Sequence, residues 1–366
     1  MYYVILPLIG LEFFSNLHWV KLSTSFYFFG VALASFLSSF ILHYLNFKRT
    51  AYSIIIFFMA SSLLTLFSQH LLTIFVGRIL SGFALGSIPT LVRSIYHQVK
   101  QEKMSLMLMV QNIFTRWVPI LSMFIAGYLS LWFDWKAIFV FLLVYVLLLF
   151  LWIRKMTFQQ ITKPKFSILI CYKKLLTAPS FLAWIFAYGL LFSCVPIAIF
   201  ISTFVLHFYW NVNVHLAATL IALAYAGYAI FSMLGVFLIR YLSKHLFLFL
   251  GFILMFSSAI LMLIASIFLE PSLTAYLLYV ALFLAGLSLV APIYLQRSAE
   301  LSSNINTPTG FALSTTSAYI TSSLVLASLA HFHHQAMVLA IYLLALLSSS
   351  LIFGALSFVS LYLSVD

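Results

Sequence analysis

The chain has 366 residues, 65% of them hydrophobic and only 7% charged, with a mean hydropathy of +1.17. Soluble domains carry about 25% charged residues, so a soluble enzyme or binding module is excluded. The net charge of +12 comes from Lys and Arg placed singly or in pairs between apolar stretches, a pattern of retention on the cytoplasmic side of a membrane and not of a nucleic-acid face.

Apolar stretches of about 20 residues, each enough to cross a bilayer as a helix, recur along the chain. They predict spans over residues 1–14, 23–45, 50–68, 72–96, 104–130 and 135–153, then 180–206, 214–239, 245–269, 272–295, 307–330 and 335–363. The first is short, reaching about 21 Å at 1.5 Å per residue against a hydrocarbon core of about 30 Å. It is either truncated or does not span fully, and it lacks the basic leader and small-residue site of a cleavable signal. Between the sixth and seventh spans runs RKMTFQQITKPKFSILICYKK, Arg154 to Lys174, with six basic residues and no acid. The expected organisation is an all-α polytopic membrane protein: an N-terminal bundle over 1–153, a basic connector over 154–179 and a C-terminal bundle over 180–366.

Charge placement tests this map. If the connector is cytoplasmic, the loops on its side hold Lys48, Arg49, Arg93, Lys100, Lys103, the six connector residues, Arg240, Lys244 and Arg297, which is 14 of the 18 basic residues. Lys21 and Lys136 fall on the opposite side, and Arg78 and Arg116 fall within spans. That asymmetry orients the protein with the connector inside. Two six-helix halves around such a loop match the layout of repeat-built secondary transporters, whose substrate sits near the midplane between the halves.

Several motifs resemble the major facilitator superfamily, and more narrowly its drug:proton antiporters of the bicyclomycin and chloramphenicol resistance type (Bcr/CflA). Met1, Tyr2, Leu6 and Pro7 match that group's MYLPALP segment in helix 1. Arg78, Gly82 and Arg93 match an Arg-x-x-Gln-Gly motif and its basic tail in helix 4, with Ser81 in place of the Gln. Trp135 to Phe139 resembles the opening of helix 6, Phe200 to Leu206 the end of helix 7, and Gly310 to Ser314 the start of helix 11. In the loop between helices 2 and 3 the basic pair Lys48-Arg49 survives, but Ser39, His43 and Asn46 replace the family's Gly, Asp and Gly. The group's helix 1 acid precedes the segment with which this chain begins. The resemblance implies two pseudo-symmetric bundles, a bacterial-type inner (plasma) membrane, coupling to a proton or another ion, and export of a small molecule without a cofactor.

All six acids (Glu12, Glu102, Asp134, Glu270, Glu300 and Asp366) map to span ends, loops or the terminus. Arg78 and Arg116 are therefore the sharper signal, because a charge at the bilayer centre costs at least about 2.5–3.5 kcal/mol. Asn112, Thr115, Arg116 and Pro119 share one helical face, which either meets substrate or lets Arg116 cap carbonyls freed by Pro119. Arg78 either acts in the cavity or snorkels to the surface. Gly82 and Gly86 follow it at the spacing of close helix packing.

Two arginines without an opposing acid favour an anionic substrate, such as a carboxylate metabolite or a carboxylate-type iron chelator. Tyr188, Tyr225, Tyr228 and Tyr319 are candidates to line the second half of the cavity. His331, His333 and His334 are expected as solvated loop residues and not as a metal site. No metal-ligand or nucleophile–base spacing marks an embedded enzyme. Beside an efflux or antiport-type exporter stand two alternatives: an exporter or importer specific for such an anionic metabolite or carboxylate-type siderophore, and a degenerate non-transporting membrane paralogue or scaffold.

Overall fold

The computed structural model describes residues 2–13, 17–44, 47–89, 92, 101–155, 167–238, 241, 243–269, 272–331 and 336–363, and of residues 101–113 the backbone alone. Among these residues the structure is helical. The first half comprises α1 (Tyr2–Glu12), α2 (Leu17–Tyr44), α3 (Phe47–Leu66), α4 (Leu71–Gly86), α5 (Gln101–Trp132) and α6 (Lys136–Lys155). A short α7 (Ile168–Leu176) lies in the connector. The second half comprises α8 (Pro179–Phe204), α9 (Val214–Leu238), α10 (Lys244–Phe268), α11 (Leu273–Ser302), α12 (Thr307–Leu329) and α13 (Ala336–Leu363). Ten of these helices are long and apolar enough to cross a bilayer, and α1 and α4 are shorter apolar helices.

Helix ends follow local chemistry. Ser243, Ser272 and Asn306 cap α10, α11 and α12, each side chain accepting a backbone N–H three residues on. Such caps are worth about 1 kcal/mol. Pro179 opens α8, where the missing N–H removes no helical bond. That helix ends in a π turn over Val205–Tyr209, and Asn211 then takes a left-handed backbone (φ 52°) that turns the chain toward α9.

Three boundaries differ from the sequence expectation in ways that matter. Helix α2 begins at Leu17, so Lys21, expected in an outer loop, sits inside the helix and is only 4% exposed. Helix α11 continues to Ser302, which carries Arg297 and Glu300 on its last turns and not in a loop. The connector, expected as a polar linker, contains α7, whose Ile168, Cys171, Tyr172 and Leu175 are buried while Lys173 and Lys174 are exposed. Those buried positions follow i, i+3, i+4, i+7 spacing, the mark of an amphipathic helix. Arg93, Lys163, Lys165, Arg240, Glu270, His333, His334 and Asp366 lie outside the described residues, as do the side chains of Glu102, Lys103 and Asn112.

Without a hydrophobic drive between helices in lipid, association depends on close backbone approach. In the first half, α2 and α4 form the tightest such seam. A methyl built on Gly82 would fall 2.1 Å from the Tyr27 carbonyl oxygen, and one on Gly86 would fall 2.3 Å from that of Val31. Gly30 answers from the other side, 2.2 Å from the Ile79 carbonyl oxygen. The expected packing role of Gly82 and Gly86 is what the geometry shows.

The halves meet through α2 against α12, α5 against α9, and α1 against α8 and α9. Among the described residues, several polar contacts across this seam fall at the end opposite the connector. Ser25 Oγ donates to the Ser323 carbonyl (2.6 Å) and Ser323 Oγ to that of Ser25 (2.9 Å). The His18 and His331 rings lie 4.1 Å apart, and Lys21 Nζ sits 5.3 Å from the Phe204 ring centre. At the connector end, α2 meets α7 instead: Tyr172 donates to the Phe36 carbonyl and its ring stacks on Phe40 at 5.1 Å. Burial pushes the Tyr172 phenol up to about 12, which keeps it a donor at neutral pH.

Gly82→Ala tests the α2–α4 seam. In an open helix this change stabilises by about 0.8–1 kcal/mol. Here the methyl meets a backbone oxygen that cannot step aside, so we expect a loss on the order of 1–3 kcal/mol and a lower melting temperature in detergent. Unchanged or improved stability would refute the close approach.

Candidate functional site

The two arginines singled out by the sequence each rest against tyrosine rings. Arg78, on α4, places its guanidinium between the rings of Tyr2 (3.8 Å) and Tyr27 (4.3 Å), from α1 and α2. A desolvated cation over an aromatic face gains about 2 kcal/mol or more per ring. That offsets much of the cost of placing a charge at this depth, with no acid needed. Arg78 does not snorkel to the surface. Among the described residues its buried Nε has no hydrogen-bond partner, and neither has the buried hydroxyl of Tyr3.

Arg78 also borders a cavity of about 490 Å³ inside the first half, whose polar wall includes Ser61, Ser62, Thr65, Ser81 and Ser122. Ser81, standing where the family motif has Gln, donates to the Arg78 carbonyl at 2.9 Å.

Arg116, on α5, stacks across the seam on the Tyr228 ring of α9 at 4.0 Å. Tyr225 lies 5.2 Å from Tyr228, ring to ring, and both Tyr225 and Tyr188 are within electrostatic reach of the guanidinium. The next residue, Trp117, donates through Nε1 to Met233 Sδ at 3.4 Å, and toward the far end Gly127 brings α5 against Ala218. Arg116 is thus a side chain of the first half resting on an aromatic floor of the second. Thr115, expected on its polar face, is exposed, and Asn112 lies outside the described side chains.

Tyr319, on α12, joins the same interior by another route. Its ring stacks on Phe28 of α2 (5.7 Å) and meets Phe192 of α8 (5.4 Å), which in turn touches Tyr188 (6.0 Å). The four candidate tyrosines therefore fall into one aromatic belt shared by α8, α9 and α12. Tyr3, on α1, packs edge-on against Phe200 and stands within electrostatic reach of Arg78, Tyr27, Tyr225 and Tyr319. It links the two arginine sites and was not among the sequence candidates.

Among the described residues the ion pairs are Glu12–Lys136 (2.8 Å) and Arg297–Glu300 (3.0 Å), neither of which involves Arg78 or Arg116. Glu12, at the end of α1, also accepts from Trp135 Nε1. The Glu12–Lys136 pair is 37% exposed on each side, so its worth is at most about 1 kcal/mol. Its effect is to fasten α1 to α6 at the far end. Lys21 is the residue sequence reasoning misplaced most consequentially. The available signal was its apolar neighbours Val20 and Leu22, just ahead of the span expected from residue 23.

A sequence profile for the Major Facilitator Superfamily matches residues 1–325. No curated protein matches the chain by sequence. Among solved structures, the fold is similar to a crystal structure of a D-xylose-proton symporter, with TM-score 0.74 and 11% identity, covering 92% of this chain and 87% of that one. It is also similar to a partially occluded, inward-open conformation of the xylose transporter XylE from E. coli, with TM-score 0.72 and 10% identity, covering 96% and 93%. An inward-open conformation of the same transporter gives TM-score 0.71 and 10% identity over 96% and 92%. At these identities the likeness is one of fold. With the profile running over most of its length and its helices paired into two facing halves, the chain belongs to the Major Facilitator Superfamily.

Proposed function

We propose that this protein is a secondary transporter that carries a small anionic molecule through the seam between its halves by alternating access. The observation that carries the reading is Arg116, a cation of the first half lodged on Tyr228 of the second and unpaired with any described acid. A planar guanidinium binds a carboxylate or phosphate through two parallel hydrogen bonds. A substrate held there touches both halves, as a midplane site requires. Arg78, clamped between Tyr2 and Tyr27, holds the geometry of α4 and adds positive potential. Tyr188, Tyr225, Tyr228 and Tyr319 supply the aromatic wall.

Export, in the manner of the bicyclomycin and chloramphenicol antiporters, is supported by the motif resemblance. Xylose–proton symport, the activity named for the similar structures, is the competing reading, and the unpartnered Tyr3 hydroxyl is the feature that favours a polyol. The connector belongs on the cytoplasmic side of an inner membrane in this reading. In support, Lys48, Arg49, Arg154, Lys155, Lys173 and Lys174 are all exposed at that end.

Flux measured in sealed proteoliposomes with mono-, di- and tricarboxylates and with xylose separates these readings. Arg116→Ala is expected to lower carboxylate flux at least about tenfold, the value of one charge-assisted hydrogen bond. Carboxylate flux unaffected by the substitution, or xylose as the sole substrate, would remove the anion reading. No gradient-dependent flux of any compound would favour a scaffold.

The far-end seam must part if access alternates. In a Cys171→Ser, Cys194→Ser background, Ser25→Cys with Ser323→Cys places two thiols where hydroxyls now sit 3.0 Å apart. We expect oxidation to stop flux and reduction to restore it. Full flux with the disulfide quantitatively formed would show that this seam stays shut during transport.

A further inference from the structure

The second half carries a pocket at its connector end whose lining includes neither Arg78, Arg116 nor a tyrosine of the aromatic belt. It has a volume of about 470 Å³ and lies between α8, α10, α11 and α13, within the range of about 300–1,000 Å³ usual for small-ligand sites. Its composition is graded. His245, Gln296, Arg297 and Glu300 supply the polar side chains, while Trp184, Leu248, Phe252, Ile293 and Leu351 supply apolar walls.

The grading follows depth. His245 is the second residue of α10, and Arg297 and Glu300 lie on the last two turns of α11, so the polar groups stand at the helix ends. Phe252 lies seven residues further along α10, about 10 Å deeper. In a spanning bundle that places the charges at headgroup level and the aromatic floor in hydrocarbon. The floor is firmly built: Trp184 stacks on Tyr294 at 4.6 Å and donates through Nε1 to the Tyr294 carbonyl at 2.9 Å. Gly354 leaves the opposite wall open, since a methyl there would meet nothing closer than the Tyr294 hydroxyl at 3.4 Å.

The charges at the mouth are of both signs. Arg297 Nη1 donates to Glu300 Oε2 at 3.0 Å, and Gln296 Nε2 to Glu300 Oε1 at 3.1 Å. Beside them, His245 lines the same pocket. An anion alone would face Glu300, and a cation alone would face Arg297. A head carrying phosphate and primary ammonium together matches both, the phosphate toward Arg297 and His245 and the ammonium donating to Glu300.

We infer that this pocket binds an aminophospholipid of the connector-side leaflet, its zwitterionic head at Arg297 and Glu300 and one acyl chain along Phe252 and Leu351. A choline head lacks the N–H groups that Glu300 accepts, and a purely anionic lipid lacks the ammonium. The site discriminates by donor count as well as charge.

The test uses the full chain reconstituted in vesicles of equal phosphatidylethanolamine, phosphatidylcholine and phosphatidylglycerol, then re-extracted in mild detergent, with retained lipid quantified by mass spectrometry. Wild type should retain phosphatidylethanolamine about three- to tenfold over its bulk share, the range for one charge-assisted bond at a partly exposed site. Glu300→Gln should bring the retained ethanolamine-to-choline ratio to the bulk value. Gly354→Leu, which fills the open wall, should lower retained lipid of every class, with folding verified by an unchanged elution profile. Retention in bulk proportions by wild type, enrichment of phosphatidylglycerol instead, or enrichment that survives both substitutions would overturn the assignment. A thermal shift with soluble glycerophosphoethanolamine equal to that with the lipid would show a headgroup metabolite as occupant and overturn it as well.

Discussion

The interior of this bundle is organised by a need to hold two guanidinium groups in a low-dielectric medium without carboxylates beside them. Each arginine at that depth costs several kcal/mol, and the compensation comes from tyrosine faces: two around Arg78 and one under Arg116. An aromatic ring stabilises the charge without cancelling it. An aspartate in the same place would neutralise the site and compete with any incoming anion. The tyrosine cages therefore explain in one stroke why α1, α2 and α4 converge on Arg78, why α5 meets α9 at Arg116, and why the space between them stays positive.

This arrangement depends on close helix approach within the first half and on sparser contacts between the halves. Within the first half, Gly82 and Gly86 bring the α4 backbone against that of α2, which fixes Arg78 over Tyr27. Between the halves, α12 presents hydroxyls: Ser314, Thr315 and Thr316 bond their own helix carbonyls four residues back, while Ser323 bonds Ser25. Hydroxyls satisfied within their own helix leave few polar groups stranded when partners separate. Ser25 and Ser323 are the exceptions that reach across, so the far-end seam is specific yet modest in energy.

The same contrast separates the two pockets. The cavity beside Arg78 is lined mainly by apolar side chains, with a few hydroxyls and the Tyr2 and Tyr27 rings of the arginine cage among them. The pocket of the second half sits at the level of helix ends, with its charges outermost and its aromatic floor inward. In our reading one belongs to the transport path and the other to the bilayer face.

Much of this was legible in the residues alone. Apolar length separates span from loop because lipid admits only helices whose backbone bonds are internally met. The basic loops are expected on one side because positive charge resists translocation. Arg78 and Arg116 declared themselves by appearing where charge is expensive, and Gly82 with Gly86 by their spacing. Even α7 was written in the i, i+3, i+4, i+7 order of Ile168, Cys171, Tyr172 and Leu175. What the residues did not carry was partnership. Twenty tyrosines look alike in a chain this aromatic, and only the fold places Tyr2 and Tyr27 around one arginine, Tyr228 under the other and Tyr3 between them. Lys21 shows the same limit, since whether a helix-end lysine meets water or Phe204 depends on a neighbour almost two hundred residues away. One-dimensional pattern reports each residue's tolerance for lipid; the identity of its neighbour is a long-range property, decided when the two halves close on each other.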